Sequence, residues 1–132
     1  MKPYYSKEVI KRFTNPKNFG EIKNADGIGR VGNPRCGDIM KLYIKVEKKG
    51  SKEIIEDIKF YTLGCAAAIA TSDMICDLVK GKTLKDALKV GYKDVVGRLG
   101  YLPEIKIHCS YLAQQGLRAA LENYHGKKAK KK

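Results

Sequence analysis

The chain has 132 residues and a formal net charge of +13. That length suits one domain able to bury roughly two-thirds of the surface its unfolded chain exposes, so folding does not require a staple. No apolar run is long enough to cross a bilayer, and the opening MKPYYSKEV lacks the hydrophobic segment of a secretory leader.

A cytoplasmic location is therefore the default. Five lysines stand in the last six residues, KKAKKK, which leaves +8 on the body. The expected organisation is a single domain over residues 1–126 and a disordered, solubilising tail over 127–132. The basic excess alone admits nucleic acid as a partner. No nucleic-acid motif accompanies it and the aromatics form no stacking platform, so a basic RNA-binding domain stays only as an alternative.

The first predicted element is a helix over Lys7 to Thr14. Ser6 is placed to cap it, Val9, Ile10 and Phe13 share a face, and Asn15-Pro16 ends it. A glycine-rich loop follows over residues 20–38. It contains Gly27-Ile28-Gly29-Arg30-Val31-Gly32, formally the dinucleotide fingerprint G-x-G-x-x-G. That motif needs a strand before it and a helix opening within it, whereas here Asn33-Pro34 follows at once. A short edge strand over Ile28 to Val31 is the better reading.

Met40, Leu42, Ile44 and Val46 alternate with Lys41, Tyr43, Lys45 and Glu47, the period of a half-buried strand. Lys48-Lys49-Gly50-Ser51 is a turn, and a further strand spans Ile54 to Thr62 with Ile58, Phe60 and Thr62 on one side. Strands joined so tightly are antiparallel. Cys65 to Val79 turns helical and stops at Gly81; Thr83 caps a short helix through Leu88; another covers Lys93 to Leu99. The last helix runs from near Ile107 to about Tyr124. Strands first and helices afterwards predict an α+β fold, a small three-stranded antiparallel sheet with helices packed on one face.

On that scaffold the soft ligands fall at element ends. Cys36 lies in the turn-forming stretch GNPRCGD, two positions before Asp38, where an exposed thiol and a carboxylate share one bend. Cys65 sits where a strand becomes a helix, and His108 and Cys109 occupy the first turn of the last helix. Helix N-termini favour thiolate, the form that binds metal and attacks sulfur. In an antiparallel pair the start of the second strand adjoins the end of the third, so Cys36 and Cys65 approach although 29 positions separate them. Three sulfurs, an imidazole and a carboxylate suit iron with sulfide, or zinc. No C-x-x-C pair defines the site, so from the residues alone a metal site and ordinary turn or core cysteines both stay open.

The stretches GNPRCGD, FYTLGCAAAIATS and LPEIKIHCSYLA, in this order, together with YSKEVIKRFTNPKNFG and VKGKTLKDAL, resemble the IscU/NifU-type iron–sulfur cluster assembly scaffolds from Tyr5 to Tyr124. The resemblance implies that Cys36, Cys65 and Cys109 hold a [2Fe–2S] cluster, with His108 or Asp38 as fourth ligand or neighbour. It implies sulfur arriving as persulfide from a cysteine desulfurase, Cys109 as its acceptor, and transfer of the finished cluster to apo-proteins. It implies a scaffold rather than an enzyme with turnover, monomeric or homo-oligomeric, with zinc as an occupant of the cluster-free site. The alternative within the resemblance is a zinc-binding sulfurtransferase accessory of the SufU type. That branch carries an insert between its second and third ligands and lacks the histidine, whereas this chain has His108 and no large insert. The family's Leu-Pro-Pro-Val-Lys stretch is here Leu102-Pro103-Glu104-Ile105-Lys106, a departure that argues against dedicated Hsp70-type handling.

Other candidates read as structural. Cys76 lies 11 residues beyond Cys65, about 16 Å along the same helix, and belongs to the core. His125, beside Gly126, belongs to the surface. Asp38 as a turn-stabilising residue and Tyr5 as a packing or disordered residue are the plain readings of those two, while Lys106 reads equally as a group that stabilises charge near the site and as a solvated lysine.

Overall fold

The computed structural model describes residues 3–33 and 38–130, with the side chains of residues 33, 38 and 128–130 outside that description. The elements follow in the expected order: α1 (Lys7–Thr14), β1 (Gly27–Asn33), β2 (Asp38–Lys49), β3 (Lys52–Thr62), α2 (Ala66–Val79), α3 (Leu84–Ala87), α4 (Tyr92–Leu99), a 3-10 turn (Glu104–Lys106) and α5 (Ile107–Lys130). The three strands form one antiparallel sheet with β2 at its centre. The α+β class is the one read from the residue pattern.

A bulge corrects the phase of β3. Val46 pairs with Ile55, but Lys45 pairs with Asp57, so Glu56 is an extra residue on β3. The slip turns Ile55 inward with Ile58, Phe60 and Thr62, although strict alternation would put Ile55 on the outer face. The core lies between this face and the helices. Leu42, Ile44, Ile55, Ile58 and Phe60 of the sheet meet Ile75 and Val79 of α2 and Leu117 and Leu121 of α5, all buried. The outer edge of β3 is covered, because Gly20 N–H donates to the Phe60 carbonyl at 2.8 Å and Ile55 N–H to the Lys82 carbonyl at 2.9 Å.

The glycine-rich strand is explained by packing. A methyl group on Gly29 would stand 2.2 Å from the Gly116 carbonyl oxygen, and one on Gly27 would stand 2.4 Å from that of Ala120. Bare glycines let α5 lie directly on β1, and Ile28 N–H reaches Asn123 Oδ1 at 3.0 Å. The fingerprint is a helix seat, not a phosphate cradle.

A charged clamp fastens the N-terminal region to α2. Asp73 is fully buried and accepts from Arg12 Nη1 at 2.8 Å, Asn18 N–H at 2.8 Å and Asn18 Nδ2 at 3.1 Å. Arg12 also reaches Asp77 at 2.5 Å and Glu8 at 2.9 Å. Burial pushes the Asp77 carboxyl up, but hydrogen bonds from Asn18 and Arg12 and the Arg12 charge outweigh it and hold the group below its ordinary range.

Several boundaries differ from expectation: β1 spans Gly27–Asn33 rather than Ile28 to Val31, β3 begins at Lys52 rather than Ile54, and α4 at Tyr92 rather than Lys93. α3 ends at Ala87, and α5 continues past Tyr124 to Lys130, so residues 127–130, expected in a disordered tail, have helical backbone. Lysine and alanine are good helix formers and no proline stops the run. Lys131 and Lys132 lie outside the described residues.

Candidate functional site

The site begins where the chain passes from β3 into α2. Met40 pairs with Thr62, which places the start of β2 against the end of β3. Thr62 Oγ1 donates to the Ile39 carbonyl at 2.8 Å and accepts from Gly64 N–H at 3.1 Å, bending the chain into Cys65. Cys65 is the N-cap of α2, in extended backbone, and its sulfur makes no capping hydrogen bond. Asp38 heads β2, its backbone paired with Asn33. Strand pairing thus brings the start of β2 to the Cys65 turn, as antiparallel geometry requires. Cys36 and the Asp38 side chain lie outside the described residues.

Cys109 comes from the other side of the molecule. The 3-10 turn leads into α5, and α5 packs on α2, where Thr71 Oγ1 donates to the Cys109 carbonyl at 3.3 Å. The two sulfurs, 44 positions apart in the chain, stand 4.0 Å from each other. Cys109 is buried, Cys65 is half-buried and His108 is exposed. His108 Nδ1 lies 2.9 Å from the Ile105 carbonyl, which can only accept, so Nδ1 carries the proton. The other ring nitrogen, Nε2, lies 3.7 Å from Cys109 Sγ.

Two further side chains meet the sulfurs. A charge on Cys65 lifts the Lys106 ammonium above its ordinary range despite partial desolvation. Tyr5 lies in the same field. Burial raises its phenol first, then the Cys65 charge, with Lys106 opposing. The sequence left Lys106 between solvated and functional and took Tyr5 for a packing or disordered residue; in the structure a charge on Cys65 acts on both. The rim is apolar, with Leu63 70% and Ile105 72% exposed beside the two chain segments that carry the cysteines. Neither rim residue was singled out from the sequence, although each stands within four positions of a cysteine.

Cys76 is fully buried, and burial, followed by the charges of Asp73 and Asp77, pushes its thiol well up. It is a neutral core residue, as expected. His125 is exposed on the outer part of α5, facing a groove lined by Lys52, Glu53 and Thr83. The Arg12–Asp73 clamp was not foreseen; its signal was two aspartates, Asp73 and Asp77, on a helix with no basic residue of its own.

Among the described residues no three His, Cys, Asp or Glu side chains close into a metal site by themselves. The two thiols and the imidazole are nevertheless soft and borderline donors gathered within 4.0 Å steps, a set that accepts iron with sulfide or zinc and leaves room for further donors. Among the described residues no helix is long and apolar enough to cross a membrane.

Residues 4–131 match the family model of the NifU-like N-terminal domain. The iron–sulfur cluster assembly scaffold protein IscU 1 of Archaeoglobus fulgidus is 52% identical over 126 residues, covering 96% of this chain and 80% of that protein. The IscU scaffold of Escherichia coli is 45% identical over 130 residues, covering 96% and 98%. Among solved structures, one described as a cluster assembly scaffold for the SUF system of Fervidobacterium islandicum superposes with a TM-score of 0.70 at 25% identity, over 89% of this chain and 96% of that one. On the match across nearly its whole length, this chain belongs to the NifU-like N-terminal domain family, with the IscU scaffolds among its relatives.

Proposed function

We propose that the chain is a scaffold on which a [2Fe–2S] cluster is assembled from iron and desulfurase-derived persulfide sulfur, and from which it passes to apo-proteins. The observation that carries this reading is the meeting of Cys109 Sγ with Cys65 Sγ at 4.0 Å and with His108 Nε2 at 3.7 Å. Cys36, Cys65 and Cys109 supply sulfur ligands, and His108 or Asp38 completes the set. Relatives named as IscU scaffolds support it. The protein contributes ligands and an exchange surface, not turnover.

The donor set also explains release. Four thiolates retain an iron–sulfur cluster, whereas an imidazole or a carboxylate is a weaker match for sulfide-bridged iron. Asp38 is proposed to keep the cluster exchangeable. Cys109 is proposed to accept the persulfide. Cys109 is buried, so a cysteine desulfurase has to uncover its sulfur on docking.

Anaerobic incubation with ferrous iron, a cysteine desulfurase and cysteine tests the reading. A cluster absorption spectrum with matching iron and sulfide content is expected, and its loss in Cys36→Ala and in Cys65→Ala. Asp38→Ala is expected to prolong cluster lifetime and slow transfer to an apo-ferredoxin. Bound zinc and persulfide relay with no cluster under the same conditions would replace this reading with that of a zinc-dependent sulfurtransferase accessory.

A further inference from the structure

Cys65 and Cys109 do not play the same part. Cys65 is half-buried and caps α2 without spending its sulfur. Cys109 is 2% exposed, faces His108 Nε2, and presents its sulfur 4.0 Å from that of Cys65. A disulfide needs about 2.05 Å between sulfurs, so roughly 2 Å of side-chain movement would join them. The attacking sulfur in thiol–disulfide chemistry has to be reachable, and Cys65 is the more exposed of the two.

We propose that Cys65 is the resolving thiol for sulfur carried on Cys109. Its thiolate attacks Cys109 Sγ of the persulfide, the Cys65–Cys109 bond forms, the bond from Cys109 Sγ to the outer sulfur breaks, and that sulfur leaves as HS⁻. From two thiols and one sulfane sulfur, the dithiol loses two electrons and the sulfur gains them. An external dithiol, itself oxidised to a disulfide, returns the pair to thiols. Sulfide is thereby released at the corner where iron is to be held, and the corner regains its two sulfur donors only after that reduction. The step deepens the scaffold reading and rests on Cys109 as acceptor.

The test uses the iron-free chain, without added reductant, mixed anaerobically with a cysteine desulfurase that has been loaded with persulfide and freed of cysteine. The wild-type chain is expected to become two hydrogens lighter, to yield a Cys65–Cys109 disulfide on digestion, and to release one sulfide per chain. A dithiol added afterwards is expected to restore the original mass. Cys65→Ser, in which serine can still cap α2, is expected to become one sulfur heavier at Cys109 and to release none. A wild-type chain that keeps a stable persulfide and releases no sulfide overturns the resolving step and leaves the acceptor reading standing. A disulfide joining Cys36 to Cys109 likewise overturns the assignment to Cys65. A Cys65→Ser chain that gains no sulfur at Cys109 overturns the acceptor reading itself.

Discussion

The two ends of α2 treat polar groups in opposite ways. Toward the C-terminal half, Asp73 is fully buried with every contact answered by Arg12 and Asn18. At the N-terminus, Cys65 leaves its sulfur out of the capping role, half-exposed, against another thiol. Buried charges are tolerated only when paired, so the first region is closed and structural. Soft donors with neighbours of their own kind suit a metal or sulfur exchange, and the second, more open region is the one proposed for that chemistry. One helix thereby anchors the N-terminal segment and presents a reactive group about two turns away from that anchor.

The contrast makes its largest prediction at the clamp. Asp73→Ala leaves the Arg12 guanidinium without its most buried partner and should cost about 3–5 kcal/mol, read from urea unfolding. An equal loss in Cys65→Ala would erase the distinction between the two ends. Next in size, Gly29→Ala forces a methyl into the Gly116 carbonyl contact and should cost about 1–3 kcal/mol. Because α5 carries Cys109, the same variant should move the two sulfurs apart, measurable as slower Cys65–Cys109 disulfide formation with a mild oxidant.

A smaller effect follows from Asp77. Its folded pKa is depressed, so its contribution is present above the unfolded value of about 4 and is lost as pH falls through the lower folded value. Melting temperature should therefore drop on acidification below about pH 4, and Asp77→Asn should flatten that limb. The least effect on folding belongs to Lys106→Gln. Stability should change by less than about 0.5 kcal/mol, as at other surface positions, while alkylation of Cys65 slows. Unchanged alkylation would detach Lys106 from the thiols.

Much of this molecule was readable from local pattern. Alternation along Met40 to Glu47 announced β2, and Ser6 and Thr83 announced their caps. Antiparallel pairing, implied by a short turn, even brought the start of β2 to Cys65. These features depend on neighbours in the chain, which a string of residues displays directly. The bulge at Glu56, the glycine seat for α5, the Arg12–Asp73 pair 61 positions apart and the 4.0 Å meeting of Cys65 with Cys109 depend on which surfaces press together. Local propensity carries no information about that choice. It is made by packing the apolar faces of α2 and α5 against the sheet, and the reactive corner exists because that packing sets two helix N-termini side by side.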